Sequence, residues 1–438
     1  MVRTRQGQVS GTETDGVAAF RGIPYAASPA GGLRFRPPRP HPGWDGVRDG
    51  TRPGPSAPQG RSRLEAIMGP REPDWDEDGC LNLNVWTPAP ALAEGAPPRP
   101  VLLWFHGGAW SSGSGGWDWY DGARLAAAGG IVVVTANYRL GPLGYLWLDH
   151  GDPEPGDPDA ADNLGSRDQA AALEWVAGNI AAFGGDAGTI TVGGQSAGAH
   201  AALALALDPA TSGLVRRVIL QSGPWGTPPR QPEEAAEITR ALAEVLDTDP
   251  GNLAEVLRRM PARNLLAAVG RLAAERATPA NPAPLLQPVL GGAGLPRPWP
   301  EALRDGGLRG KQVLIGGTSH EMTAFLGPDT AETAALQARA TEEVFGITAI
   351  TDVCAEQGIP AYAYRFTRAS AVDPALGAPH CAELPFVFGT LGAFAGARML
   401  GPVGPADRDL AREMTAAFAS FAATGTPAGD RWPAHFGG

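Results

Sequence analysis

Lysine is almost absent from this chain of 438 residues, in which Lys311 is the single lysine among 35 basic residues. Acidic residues number 46, and the formal net charge at pH 7 is -11. Binding to a nucleic-acid backbone requires clustered cations, which this sequence lacks. We therefore expect no nucleic-acid partner and interpret the acidity as a contribution to solubility.

Cysteine is also scarce. Cys80, Cys354 and Cys381 are odd in number and lie far apart, so we expect reduced thiols rather than a disulfide framework or a zinc site. No metal and no cofactor are expected.

No apolar run approaches the ~20 residues of a membrane span, and residues 1–9 lack the apolar core of a signal peptide. These absences predict a soluble, cytoplasmic protein that does not bind membranes.

Residues 189–199, Thr-Ile-Thr-Val-Gly-Gly-Gln-Ser-Ala-Gly-Ala, join a β-branched run to the start of a helix-forming stretch. In a Gly-x-Ser-x-Gly elbow the serine takes a strained backbone position that exposes its hydroxyl, and side chains at Gly194 or Gly198 would collide with neighbouring elements. Ser196 is therefore a candidate nucleophile. The alternative is an ordinary glycine-rich turn between a strand and a helix, because the chain holds 60 glycines.

Short apolar runs separated by helical stretches follow, at 101–105, 131–136, 189–192, 217–221, 312–316 and 361–366. Their continuous apolarity predicts strands covered on both faces, and hence a mostly parallel sheet flanked by helices. Residues 7–60 predict an antiparallel N-terminal meander. We expect one domain over residues 1–438, in which helical insertions at about 224–310 and 327–360 leave the carboxyl edge of the sheet and wall a substrate pocket.

An activated serine needs a base and a carboxylate that orients the base. In sheets of this kind the acid and then the histidine follow the serine along the chain. Glu321 comes shortly after the run at 312–316, and His380 comes after the run at 361–366. We therefore predict that Glu321 orients His380, and that His380 is the base for Ser196.

The remaining histidines of the seven in the chain have simpler interpretations. His41, His150 and His435 lie in Pro/Gly-rich or terminal loops, where we expect solvent exposure. His200 falls four residues after Ser196 and is expected to pack within the fold or to cap a helix. His320 is adjacent to Glu321 and is expected to face another way.

The segment 106–110, His-Gly-Gly-Ala-Trp, follows the first central run. Small residues let a backbone approach a substrate closely. We assign the N–H groups of Gly108 and Ala109, with that of Ala197 at a helix N-terminus, to an oxyanion hole. His106 and Gly107 are expected to support the loop.

Three aromatic residues, Trp110, Trp117 and Phe325, lie close in sequence to these loops and are candidates for the pocket lining. Each of them could instead be packed in the core, since large aromatic side chains are buried in either case.

Several motifs together resemble the carboxylesterase type B family of α/β hydrolases, the group that includes bacterial p-nitrobenzyl esterases and animal cholinesterases. They are Phe-Arg-Gly-Ile-Pro-Tyr-Ala at 20–26, Cys-Leu-Asn-Leu-Asn-Val-Trp-Thr-Pro at 80–88, Phe-His-Gly-Gly-Ala-Trp at 105–110, Asn-Tyr-Arg-Leu-Gly-Pro-Leu-Gly-Tyr at 137–145, Gly-Gln-Ser-Ala-Gly at 194–198, Leu-Gln-Ser-Gly at 220–223 and His-Cys-Ala-Glu-Leu-Pro-Phe-Val-Phe-Gly at 380–389. The resemblance spans residues 7 to about 433.

This resemblance implies an α/β-hydrolase fold with a reduced cap, and a triad of Ser196, Glu321 and His380. It also implies that the Ser222 hydroxyl lies near the triad. Two structural ion pairs are implied as well, Arg34 with Asp78 and Arg139 with Asp168, although these charges could equally lie on the surface.

We interpret the chain as a serine carboxylic-ester hydrolase that cleaves small to medium aryl or alkyl esters without a cofactor. The Gly-Gly-Ala loop, by resemblance, implies tolerance of bulky and even tertiary alcohol groups. An amidase or thioesterase with the same triad is an alternative, because the triad serves any acyl transfer. A non-catalytic, cholinesterase-like binding protein is another. The oligomeric state is left open, with a monomer favoured.

Overall fold

Twelve strands are present in the computed structural model, which describes residues 1–72, 74–148, 162–276 and 284–429. Their bounds are β1 Val2–Arg3, β2 Gln8–Val9, β3 Thr12–Thr14, β4 Val17–Pro24, β5 Val47–Arg48, β6 Asn82–Pro88, β7 Arg99–Phe105, β8 Val132–Ala136, β9 Gly185–Gln195, β10 Arg217–Gln221, β11 Gln312–Thr318 and β12 Ala361–Phe366. Among the described residues, β3, β4 and β6 to β12 form one nine-stranded sheet, and β1, β2 and β5 form a small second sheet.

Helices lie between and beyond these strands. Their bounds are α1 Glu65–Met68, α2 Ala123–Gly129, α3 Gly141–Tyr145, α4 Leu164–Asn179, α5 Ala197–Leu207, α6 Pro232–Val245, α7 Leu253–Arg259, α8 Ala262–Arg276, α9 Trp299–Arg304, α10 Thr323–Leu326, α11 Ala334–Phe345, α12 Thr348–Glu356, α13 Leu384–Val387 and α14 Pro405–Thr424. Within the ranges described, none of the helices is both long and apolar enough to cross a membrane.

The strand order of the large sheet is β12-β11-β10-β9-β7-β8-β6-β4-β3. Strands β7 to β12 pair in parallel, whereas β3, β4 and β6 pair antiparallel. The expected mostly parallel sheet with an antiparallel N-terminal part is confirmed, except that β2 and β5 of the small sheet pair in parallel. Because the parallel strands all end at one edge, the loops after β7, β9, β10, β11 and β12 meet there.

Strand β7 explains why the apolar runs are continuous rather than alternating. Leu102 and Trp104 pack into the core on one face of the sheet, and Val101, Leu103 and Phe105 pack into the core on the other. All five side chains are inaccessible to solvent. A strand with helices on both faces has no polar side, so its sequence loses the period of two.

One of the two ion pairs implied by resemblance is present and the other is wrong. Both oxygens of Asp168 accept from the Arg139 guanidinium, at 2.7 Å each, and both side chains are buried. Arg34 pairs with Glu77 rather than with Asp78, which instead accepts a hydrogen bond from Ser28. The prediction placed the carboxylate one residue too late, because a loop has no regular period that fixes side-chain direction.

Candidate active site

Ser196 lies at the junction of β9 and α5, with backbone angles of φ 58° and ψ -123°. This conformation is sparsely populated for a residue with a Cβ and costs about 1–3 kcal/mol. The flanking glycines are required sterically. A Cβ on Gly194 would lie 2.2 Å from the Gly198 carbonyl oxygen, and one on Gly198 would lie 2.0 Å from the Phe105 carbonyl oxygen. The elbow is therefore built by close backbone approach, as the sequence motif predicts.

Glu321 and His380 are in direct contact and are both 1% exposed. The distance from His380 Nδ1 to Glu321 Oε2 is 2.5 Å, and the other carboxylate oxygen accepts from the Thr318 N–H at 2.7 Å. The two loops also pair through backbone, since His320 N–H donates to the Ala378 carbonyl at 3.0 Å. Two adjacent parallel strands thus bring together residues that are far apart in sequence.

The pKa of His380 is set by opposing effects. Burial alone lowers the pKa, whereas the neighbouring Cys381 thiol and the Glu321 carboxylate raise it well above the usual imidazole value. Burial also raises the pKa of Cys381, so that this thiol is neutral near pH 7. We therefore attribute the raised pKa of His380 to the Glu321 charge.

A second buried carboxyl lies beside this pair. Glu383 is inaccessible to solvent, and its Oε1 accepts a hydrogen bond from Ser222 Oγ at 2.9 Å. Burial, and then the charge of Glu321, raise the pKa of Glu383 to about 7. Ser222 thus lies near the predicted triad, but its hydroxyl is bound to Glu383 rather than to one of the three residues. Glu383 lies in the segment 380–389 that resembles the family, but the sequence analysis did not predict a role for this residue.

The loop after β7 holds three successive residues at positive φ: Gly108 at 120°, Ala109 at 53° and Trp110 at 56°. Gly108 cannot be replaced, because a Cβ there would lie 2.0 Å from the Ser112 carbonyl oxygen. Among the described residues, the N–H groups of Gly108 and Ala109 have no protein acceptor. Ala197 is the first residue of α5, where helix N–H groups lack intrahelical acceptors. All three N–H groups can therefore serve a bound anion.

His106, which the sequence predicts to support this loop, contacts its backbone. Its ring stacks on Tyr138 at 4.5 Å, and its Nδ1 lies 2.8 Å from the Gly107 carbonyl. Burial lowers the pKa of His106 to about 4, so the ring is neutral near pH 7. Gln59 braces the same loop by two hydrogen bonds with the Gly113 backbone, at 2.7 and 2.8 Å. Nothing in the sequence around Gln59 indicates that contact.

Three other histidines, His41, His200 and His320, have side-chain contacts outside the predicted triad. His200 is half-buried on α5, where its ring meets Trp110 edge-on at 5.6 Å, and burial lowers its pKa to about 4. His41 is half-buried against Trp44 rather than exposed, and His320 contacts Ser319. His150 and His435 lie outside the described residues.

Two cavities open at Ser196. A narrow one of about 60 Å³ is lined by Gly108, Ala109, Ser196, His380 and Trp117, and a wider one of about 240 Å³ by Trp110, Ala197 and Phe345. Phe325 and Ser196 line both. The three aromatic residues predicted for the pocket, Trp110, Trp117 and Phe325, are therefore at its walls. Within the ranges described, no three or more His, Cys, Asp or Glu side chains are grouped to hold a metal ion.

Phe345 is a wall residue that sequence reasoning missed. Its ring lies 4.8 Å from the His380 ring and 6.1 Å from that of Phe325, which itself lies 5.3 Å from His380. Phe345 ends α11 in the second insertion, and nothing in a helical period indicates that the last residue of a helix will contact a distant loop. The imidazole is therefore enclosed by two aromatic rings, which shield it from solvent.

The two insertions meet at the wider cavity. Pro224, Thr227 and Pro284 from the first insertion line it together with Val344 and Phe345 from the second. The Gly226 N–H donates to the Val344 carbonyl at 2.9 Å, and a Cβ on Gly226 would lie 1.6 Å from the Glu343 carbonyl oxygen. We call this backbone contact the insertion seam.

The strand order, the strained serine and the acid and histidine after the following strands define an α/β hydrolase. Residues 1–345 and 331–436 match the Carboxylesterase family, so the chain belongs to that family and is a serine carboxylic-ester hydrolase.

Similar proteins cover almost the whole chain. The phenmedipham hydrolase of Pseudarthrobacter oxydans is 36% identical over 99% of this chain and 92% of its own length. The para-nitrobenzyl esterase of Bacillus subtilis is also 36% identical, over the same shares of the two chains. The solved structure of a thermophilic PNB esterase superimposes with a TM-score of 0.86 at 33% identity, covering 99% of this chain and 93% of that one. The predicted family, fold class and ester-hydrolase chemistry are thus confirmed.

Proposed function

We propose that Ser196 is the nucleophile, that His380 is its base and that Glu321 orients His380. The observation that carries this proposal is convergence on one cavity: Ser196, His380 and the Gly108 and Ala109 backbone line the same narrow space, and Glu321 lies 2.5 Å behind the imidazole. Four elements that are distant in sequence supply these groups.

The reaction follows from these positions. His380 Nε2 accepts the Ser196 hydroxyl proton as Oγ attacks the ester carbonyl carbon, and the carbonyl oxygen becomes an oxyanion. The N–H groups of Gly108, Ala109 and Ala197 stabilise that charge. His380 then gives its proton to the leaving alcohol, and the same base activates the water that hydrolyses the acyl-enzyme.

The substrates we propose are small to medium carboxylic esters, including esters of bulky or tertiary alcohols. The wider cavity of about 240 Å³ supports this size range, because it opens directly at Ser196 and is lined mainly by apolar side chains. A tertiary centre needs such a space beside the attacked carbonyl. A cytoplasmic location and a monomeric state remain predictions from the sequence.

A mechanism-based label tests the proposed triad. We expect one fluorophosphonate adduct per chain, mapped to Ser196 by intact mass and peptide mapping, and loss of both the adduct and p-nitrophenyl butyrate hydrolysis in Ser196→Ala. Alanine keeps a Cβ at the strained position, so the elbow is perturbed little. Persistent labelling or turnover in Ser196→Ala would contradict the assignment.

A substrate panel tests the bond and the alcohol. Matched ester, amide and thioester substrates with one acyl group should show the ester as the preferred substrate by kcat/KM. Tert-butyl acetate should be cleaved along with ethyl acetate. Turnover of ethyl acetate alone would refute the tolerance of tertiary alcohols, and preference for the amide would refute the proposed ester specificity.

A further inference from the structure

The hydrogen-bond partner of the His380 base is not the nucleophile. His380 Nε2 lies 3.0 Å from Nε2 of the Gln195 side chain, and the contact is buried. Among the described residues, no hydrogen bond joins Ser196 Oγ to His380. Gln195 is the residue before the nucleophile and is 1% exposed.

The carboxamide nitrogen of Gln195 faces the ring, and this orientation decides the donor and acceptor roles in the contact. A carboxamide nitrogen can only donate, so His380 Nε2 must be the acceptor. The Nδ1 atom lies 2.5 Å from Glu321 and carries the ring proton in that tautomer. The single in-plane lone pair of Nε2, which must receive the Ser196 proton, is therefore engaged by the Gln195 amide.

We propose that Gln195 is a positioning residue that holds His380 as the neutral Nδ1–H tautomer and releases Nε2 to Ser196 when substrate binds. The proposal rests on the triad proposed above. Gln195 ends β9, whose backbone is fixed by the sheet, so the release is a rotation of the side chain alone. Gly107 leaves space for the carboxamide, since a Cβ there would lie 2.6 Å from Gln195 Oε1.

The contact has a directional effect on protonation. A protonated imidazole carries a hydrogen on Nε2, which would face the hydrogens of the Gln195 amide, so Gln195 opposes protonation of His380. Among the described residues, the other titratable groups near the ring include Glu321 behind it, Cys381 and Glu383 on its own segment, and Tyr364 on β12 near the two carboxyl groups. Arg63 and Tyr120 line the narrow cavity together with His380. Phe325 and Phe345 cover the ring without charge. Glu321 favours the protonated ring, and Gln195 counteracts it.

Two variants and a control test this role through the pH dependence of kcat/KM for p-nitrophenyl butyrate. Gln195→Glu places a carboxylate against His380 Nε2 and should move the acidic limb of the pH profile to higher pH by about 1–3 units. Gln195→Met removes the donor at similar volume and should move it upward by about half a unit or more. Thr191→Val is the control. It removes the buried hydrogen bond that Thr191, on the same strand as Gln195, donates to the Ala422 carbonyl. Thr191 lies away from His380, so the acidic limb of the pH profile should stay in place.

The outcomes separate positioning from simple packing. Upward shifts in both Gln195 variants, with fluorophosphonate labelling of Gln195→Met restored at a pH above the shifted limb, would support the proposal. An unchanged limb in both variants, or equal loss of labelling at every pH, would overturn it. The ¹⁵N shifts of His380 in the unaltered enzyme give a check that needs no Gln195 variant: a proton on Nε2 at high pH would also overturn it. Activity that survives in Ser196→Ala would instead refute the triad itself.

Discussion

Replacing Glu321 by glutamine should disable the enzyme by reversing the tautomer of His380. The two carboxylate oxygens of Glu321 have different partners: Oε1 accepts a hydrogen bond from the Thr318 N–H at 2.7 Å, and Oε2 lies 2.5 Å from His380 Nδ1. A glutamine has only one oxygen. Because the Thr318 N–H can only donate, the oxygen is favoured on that side, and the amide NH2 then faces Nδ1. The ring proton moves to Nε2 and the Gln195 carboxamide turns its oxygen toward it, so that Nε2 can no longer accept the Ser196 proton.

The expected loss of kcat in Glu321→Gln follows from the free-energy cost of turning the glutamine amide so that its oxygen faces His380. Turning the amide so that its oxygen meets His380 leaves the buried Thr318 N–H facing a donor, which costs about 1–3 kcal/mol. That cost leaves about 0.6–15% of molecules in the competent orientation. Loss of the charge that stabilises the imidazolium lowers the rate further, so we expect kcat to fall about 10³- to 10⁴-fold, as for the corresponding amide change in other triads.

The pH profile gives the same variant a second readout. Glu321 raises the pKa of His380, so that the acidic limb of kcat/KM should lie above the usual imidazole value in the unaltered enzyme. In Glu321→Gln the residual activity should show this limb at lower pH, whereas Glu321→Asp keeps the charge and should keep the limb high. Turnover of p-nitrophenyl butyrate is the assay, with thermal unfolding to confirm the fold. A Glu321→Gln enzyme that is folded and within about tenfold of full activity would refute the reasoning.

Three further changes test other parts of the structure. Asp168→Asn leaves the buried Arg139 without its counter-charge and should lower the free energy of unfolding by about 3–5 kcal/mol in urea denaturation; a change below ~1 kcal/mol would contradict the burial of this pair. Gly198→Ala should abolish fluorophosphonate labelling, because its Cβ would collide with the Phe105 carbonyl; normal labelling would mean that the elbow can relax. Phe345→Ala should enlarge the wider cavity and shift kcat/KM among acetate esters toward bulkier alcohols, and an unchanged alcohol-size profile would show that Phe345 does not limit the substrate.

The sequence predicts the framework of the site well because the backbone conformations at the site require particular residues nearby in the sequence. Ser196 needs Gly194 and Gly198, and both glycines are readable before any contact is known. The apolar runs of the parallel strands are similarly direct, since β10 and β12 occupy residues 217–221 and 361–366 as expected. Chain order then places Glu321 and His380 at neighbouring strand ends.

Contacts that depend on side-chain direction outside regular structure are harder to predict. Arg34 pairs with Glu77 instead of Asp78 because a loop offers no period to choose between adjacent carboxylates. Gln195 sits in a position that the elbow motif leaves unspecified, and its contact with His380 depends on the loop after β12. Phe345 reaches His380 only because an insertion folds back over the sheet edge.

The insertion seam couples the two insertions that line the wider cavity, so that neither can be changed independently of the other. Gly226 belongs to the first insertion and Val344 to the second, yet a backbone hydrogen bond joins them, with no space for a side chain at Gly226. A recombinant enzyme that takes one insertion from a relative and keeps the other would meet a mismatched partner at this point. Chimeras designed to alter substrate range should therefore exchange both insertions together, or preserve the glycine and the facing backbone at the junction.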